Sequence, residues 1–186
     1  AASDVYKRQA HTPQELGHLI HEADAAVVEA GLGRSGTTLT VLACLDLDTE
    51  RGRWAVANVG DSRVYLRPVG SPVLQQLTVD HSAVQMLVDA GELTPAEARV
   101  HPRRNVITRA LGSREALTVD VAEVPLASGD LVLLCSDGLT GELLDEEIRA
   151  LIDDADTLED ALEKLIGAAL WRGGRDNITA VLVRIP

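Results

Sequence analysis

Between Thr37 and Thr78 the chain reads "TTLTVLACLD", "GRWAVANVG", "SRVYLRP" and "PVLQQLT", strand-like runs separated only by short breaks containing Gly, Asp or Pro. Strands that follow one another so closely predict an antiparallel meander. "LTVDVAEVP" and "DLVLLCSDG" add two strands farther on, and "NITAVLVRI" supplies the last. Helical periodicity flanks this block. In "HTPQELGHLIHEADAAVVEAGLG", Thr12 and Glu15 read as a capping box and Pro13 takes the first helical position. Leu16, Leu19, Ile20, Ala23, Val27 and Ala30 follow at helical spacing, and Gly31 and Gly33 end the run. "HSAVQMLVDAG" is a short helix, and "TPAEAR" repeats the capping logic with Thr94, Pro95 and Glu97. "HPRRNVITRALG" leads back to extended chain, and two more helices are expected near Asp145–Ile152 and Thr157–Trp171. Strands in the middle with helices at both ends predict an α+β chain of sheet layers covered by helices rather than alternating βαβ units.

At 186 residues the chain fits one domain, with no internal repeat or interdomain linker. Phe is absent and aromatics are 2%, so the core must be built from Leu, Val, Ile and Ala, and little is left for stacking on bases. A formal charge of −12 disfavours nucleic acid and anionic membrane as partners. No apolar run approaches the roughly 18–20 residues of a membrane span. Cys44 and Cys135 each lie inside an apolar strand-like run, which predicts buried thiols in a reducing, cytoplasmic setting.

The first nine residues fit none of these patterns. "DVYKRQ" at positions 4–9 has neither capping signal nor periodicity, and read back into DNA it gives GAT GTG TAT AAG AGA CAG, a transposon end used to fragment DNA. Residues 1–9 are therefore expected to be a sequencing or cloning scar, and residues 10–186 a partial domain severed near Ala10. Without the scar the formal charge is −13, because Lys7, Arg8 and Asp4 go with it.

Three aspartates share a context that suits chemistry. Asp61 in "NVGDSR", Asp137 in "LLCSDGL" and Asp176 in "GGRDNIT" each sit at the end of an apolar strand beside Gly or Asn. A strand fixes the backbone of such a carboxylate while glycine permits close approach of another group. Each alone is also ordinary turn chemistry. Together they suit a hard cation, Mg²⁺ or Mn²⁺, which prefers oxygen ligands and retains waters.

"SGTTLTVLA", "ANVGDSRVYL", "LTVDHS", "HPRRNVITRALG", "GDLVLLCSDGLT" and "GGRDNITAVLV", in this order, resemble the bacterial type 2C metal-dependent protein phosphatases from Ser35 to about Val183. The resemblance implies a central antiparallel β-sandwich flanked by helices, four layers in the order α/β/β/α. It also implies a binuclear Mg²⁺ or Mn²⁺ centre at one edge, where metal-bound water hydrolyses phosphoserine or phosphothreonine without a covalent intermediate. Matched by motif, Asp137 and Asp176 correspond to core metal ligands and Asp61 to a ligand of a third, weaker site, with Asn177 no more than an outer contact. Residues 81–104 correspond to the variable flap, His81 would begin its helix, and Arg103 and Arg104 would meet phosphorylated substrate there. The implied partners are phosphoproteins of a serine/threonine kinase pathway.

The family's upstream arginine, acidic pair and Asp-Gly-x-Gly-Gly motif are not found in these 186 residues. That is what a cut near Ala10 predicts, with the first strands lost, and it predicts a fragment inactive alone. A second reading stands beside the enzyme: a phosphatase-like module that holds a signalling protein without hydrolysing its phosphate. Other chemistries fail on spacing. A cysteine phosphatase needs Arg six positions after Cys, but Cys135 leads to Gly141 and Cys44 to Glu50. "DLDTE" at 46–50 ends in Glu50 where an aspartyl-phosphate motif needs Thr, and His18 and His21 lack the further ligands of a zinc site.

Overall fold

The structure, a computed structural model, describes residues 10–32, 34–46, 52–113 and 116–186. The expected scar at 1–9, Gly33 and most of "DLDTE" lie outside the described residues. Helix α1 spans Pro13–Gly31, with the Thr12 hydroxyl accepting from the Glu15 N–H at 3.2 Å. The reciprocal half of the capping box is displaced by one residue: the Glu15 carboxylate accepts from His11 N–H at 2.7 Å, not from Thr12. Past the helix end, Leu32 takes the left-handed conformation at φ 52°.

The expected strands form, but they do not make one meander. β1 (Leu39–Asp46), β2 (Arg53–Val59) and β5 (Asp120–Val124) make one antiparallel sheet in the order β1-β2-β5. β3 (Arg63–Arg67), β4 (Gln75–Gln76), β6 (Leu131–Cys135) and β7 (Ala180–Arg184) make a second, in the order β4-β3-β6-β7. The chain changes sheets between Val59 and Arg63. Gly60 permits it: its φ is +108°, and a Cβ there would lie 2.3 Å from the Thr38 methyl carbon. No side-chain-bearing residue could make this turn without displacing Thr38.

Alternation along each strand then sorts the core into layers. Ala55, Ala57 and Val59 of β2 face α1, packing with Leu16 and Ile20. Val56 of β2, Val64 and Leu66 of β3, and Val132 of β6 fill the space between the sheets. Tyr65, Leu133 and Cys135 point the other way, toward Ile148 and Ile152 of α5 (Asp145–Asp153) and Leu165 and Ala169 of α6 (Leu158–Trp171). The layers run α/β/β/α, as the resemblance implies. Cys135 is buried as expected, whereas Cys44 is half-buried; both are free thiols. No helix among the described residues is long and apolar enough to cross a membrane.

Between β4 and β5 the chain makes two short helices, α2 (Ala83–Asp89) and α3 (Pro95–Val100). Thr94 and Glu97 form the full capping box of α3. Two details differ from expectation. "PVLQQLT" contributes only two paired residues, and a single helical turn, α4 (Asp137–Thr140), follows β6 directly.

Candidate metal centre

Strand register brings the three aspartates to one end of the second sheet. Arg63 of β3 pairs with Cys135 of β6, which pairs with Ala180 of β7. Asp61 lies two residues before Arg63, Asp137 two residues after Cys135, and Asp176 four residues before Ala180. All three therefore leave the same edge of three adjacent strands.

Two local devices hold Asp137 and Asp176 close. Gly138 lies so near the backbone of Asn177 that a Cβ would stand 2.3 Å from the Asn177 carbonyl oxygen, and only glycine fits. Ser136 ties the same segments, its hydroxyl donating to Asn177 O at 3.1 Å and accepting from Thr179 N–H at 3.0 Å. On the other side, buried Glu142 accepts from Arg175 Nε at 2.9 Å and from its NH2 at 3.0 Å. These hydrogen bonds hold the Glu142 carboxyl below its usual range. Asp176 thus lies between an arginine latch and a backbone lock.

The carboxylates face one another without cationic partners. Among the described residues no Lys, Arg or His forms an ion pair with Asp61, Asp137 or Asp176. Burial, then the negative charge of Asp137, pushes the Asp61 carboxyl up to about 6. Burial raises Asp137 as well, with the charge of Asp176 next, against hydrogen bonding from backbone N–H groups that lowers it. Repulsion between unpaired carboxylates is what a divalent cation relieves, so the donor chemistry fits Mg²⁺ or Mn²⁺. Among the described residues no three His, Cys, Asp or Glu side chains close into a ready cage. A cation here would have to complete its shell largely with water, as Mg²⁺ commonly does.

Asp61 and Asp137 line a cleft of about 640 Å³ between the α2–α3 segment and the α4–α5 corner. Arg99 and Arg104 also line it, Arg99 donating to Leu143 O at 3.2 Å. Arg103 is exposed but does not line the cleft, so of the two arginines expected to meet substrate only Arg104 is brought to it.

Sequence reasoning missed the polar floor of this cleft. Arg63 binds Asp80 through two bonds of 2.8 Å and donates to Tyr65 OH at 2.9 Å; Tyr65 OH donates to Asp145 at 3.0 Å. Alternation in "SRVYL" puts Arg63 and Tyr65 on one face of β3, the signal that pointed toward the network; their acidic partners lie too far along the chain for such a pattern to reach. His81 also departs from expectation. Ser82 caps α2, and His81 is instead a buried side chain at the junction of the two sheets.

The Asp61 environment gives a measurable consequence. A folded carboxyl whose proton is held more tightly than in the unfolded chain contributes most favourably below its unfolded value, about 4, and loses that contribution as pH rises through about 6. Asp61→Asn is expected to raise the metal-free melting temperature at pH 7, and the gain should disappear near pH 4. Thermal unfolding of the two proteins across that range checks the sign; a lower melting temperature for the variant at pH 7 would contradict it.

A family profile described as Stage II sporulation protein E matches residues 87–186. The chain is 43% identical over 181 residues to protein phosphatase PhpP of Streptococcus pneumoniae strain D39, covering 97% of this chain and 70% of that protein. Among solved structures it resembles the PPM Ser-Thr phosphatase MsPP from Mycobacterium smegmatis, crystallised with cacodylate. There the TM-score is 0.80 at 34% identity, over 93% of this chain and 74% of the other. The catalytic domain of the serine/threonine protein phosphatase PstP with two manganese ions gives a TM-score of 0.74 at 34% identity, over 91% of this chain and 69% of that one. All three are phosphatases, the two solved ones are serine/threonine phosphatases, and one of these holds two manganese ions. With that identity, that coverage and the same two-sheet fold, the chain belongs to the bacterial PPM/PP2C-type serine/threonine phosphatase family.

Proposed function

We propose that residues 10–186 form part of a Mg²⁺- or Mn²⁺-dependent phosphoserine/phosphothreonine protein phosphatase. In this reading Asp137 and Asp176 hold core metal and Asp61 contributes to an additional, weaker site. The observation that carries the reading is the convergence of these carboxylates at one end of β3, β6 and β7 without cationic partners. When bound, the cations supply positive charge against the phosphoryl oxygens and an activated water. The chain's own residues bind and orient. Gly138 and Ser136 fix the Asp137–Asp176 approach, the Glu142–Arg175 pair anchors the Asp176 segment, and the Arg63–Asp80 pair forms the polar floor beside Asp61. Arg104, at the cleft, is placed to meet a phosphate or an acidic stretch of a phosphoprotein. The working compartment is the cytoplasm, in keeping with two free thiols, and the substrates are phosphoproteins of a serine/threonine kinase pathway.

The Asp-Gly-x-Gly-Gly motif and phosphate-gripping arginine of the resembled family are not among these 186 residues. The chain alone is therefore expected to show no appreciable turnover of a phosphothreonine peptide at saturating Mn²⁺. Joined to an upstream segment carrying those motifs, it should hydrolyse the peptide, and Asp137→Ala or Asp176→Ala should remove that activity. Full turnover by the 186-residue chain would overturn the account of what it lacks. An extended protein that binds phosphopeptide but never cleaves it would favour a non-catalytic binding module instead.

A further inference from the structure

The turn that carries Asp61 is held by a side chain from a distant part of the sequence. Gly60 N–H donates to His81 Nδ1 at 3.1 Å, and Gly60 O accepts from His81 N–H at 2.9 Å and from Asn58 Nδ2 at 3.1 Å. Asn58 in turn accepts from the Thr40 hydroxyl at 3.0 Å. Asn58 and His81 are both buried, so no water replaces these contacts cheaply.

The Gly60 amide settles the tautomer of the ring. An amide N–H can only donate, so Nδ1 must be the unprotonated nitrogen, and the neutral ring carries its proton on Nε2. That nitrogen lies 3.1 Å from Asp120 Oδ2, the acceptor it needs. Arg109 NH1, which can only donate, gives its hydrogen bond to Asp120 Oδ1 at 2.8 Å; it also lies 3.1 Å from Nε2, but a protonated Nε2 has no lone pair to accept from it. Burial works against the Asp120 carboxylate, but the hydrogen bond from His81 and the hydrogen bond and charge of Arg109 prevail and hold its carboxyl below the usual range. Asp120 therefore presents a full negative charge to the ring N–H.

From this geometry we infer that His81 is a positioning residue for Asp61: its unprotonated Nδ1 holds Gly60 N–H, and with it the sheet-crossing turn that presents the Asp61 carboxylate to the acidic cleft. Glycine at position 60 has little conformational restraint of its own, so the restraint must come from its partners. Asp120 acts one step farther out by accepting from Nε2–H and so keeping the ring in the accepting tautomer, and Arg109 acts only by holding Asp120 in place. The inference rests on the reading of Asp61 as a cation ligand.

Asparagine and glutamine separate the two ends of the ring. His81→Asn places an amide oxygen near Nδ1 and keeps an acceptor for Gly60 N–H. His81→Gln reaches toward Nε2 and keeps contact with Asp120 while losing Gly60. Both remove the ring, so a purely structural role would affect them alike. In calorimetric Mn²⁺ titrations of the whole chain, Asp61→Asn should weaken binding about 10-fold, His81→Gln should fall toward that level, and His81→Asn should stay within about 3-fold of wild type. Wild-type affinity in His81→Gln beside weakened Asp61→Asn would overturn the positioning role. Unchanged affinity in Asp61→Asn would overturn the ligand reading beneath it. If either His81 variant fails to fold, nitrogen NMR of the wild-type protein still decides: the expected spectrum shows Nδ1 unprotonated and a slowly exchanging Gly60 amide. A proton on Nδ1, or a freely exchanging Gly60 amide, would refute the inference.

Discussion

Replacing Asp137 with alanine is expected to lower the affinity of the chain for Mn²⁺ by on the order of 100-fold, at least as much as is commonly lost when only a ligand's supporting contact is removed. Asp176→Ala should act similarly. The expectation follows from a cation that draws most of its binding energy from a few fixed negative charges and completes its shell with water. Removing one such charge eliminates a donor and a Coulomb partner at the shortest range available. Asp137 is also the carboxylate through which the others are coupled, since its charge raises Asp61 and the charge of Asp176 raises it. The same substitution should leave the metal-free protein at least as thermally stable as wild type, because it removes repulsion. Opposite signs for metal binding and metal-free stability distinguish a ligand from a structural carboxylate. A variant that binds Mn²⁺ normally would sink the assignment.

Arg63→Met should cost about 3 kcal/mol of folding stability, the range seen when one partner of a buried pair is removed. The Arg63 and Asp80 side chains are only 20% and 12% exposed, and the variant leaves Asp80 without its bidentate partner. Tyr65 OH would lose its donor in the same step. Asp80→Leu added to Arg63→Met should recover much of the loss, because it removes the stranded charge. Urea denaturation of the single and double variants measures both effects. A single-variant loss below about 1 kcal/mol would place this pair with exposed salt bridges, which contribute little.

Much of the architecture could be read along the chain because it is written at short range. Strand periodicity in "RWAVANV" and "RVYLR", Thr12 before Pro13, and the Thr94–Glu97 box all involve residues within a few positions of one another. Alternation reveals which residues share a face, but not which sheet a strand joins. The crossing at Gly60 therefore stayed hidden although Gly60 itself was plain. The expected Asp61, Asp137 and Asp176 converge because the β3–β6–β7 register aligns their strand ends, a relation no local pattern contains. His81 looked like a helix start because Ser82 begins α2 beside it. Its actual partners, Gly60, Arg109 and Asp120, are 21, 28 and 39 positions away. Arg104 and Arg103 are neighbours in sequence, yet only one lines the cleft, since in the turn that follows α3 the backbone direction changes from residue to residue.

The order in which these contacts can form also bears on kinetics. Asp61, Asp137 and Asp176 come together only after β3 has paired with β6 and β6 with β7, pairings that close loops of many tens of residues. Their mutual repulsion is therefore a property of the finished sheet, little felt while the chain is still searching for it. A cation that relieves the repulsion has its strongest hold on the completed state and the weakest on the barrier leading to it. Its effect on lifetime should accordingly fall on the unfolding rate rather than the folding rate: the metal would act less as a nucleus for the fold than as a clasp fastened after the fold has formed.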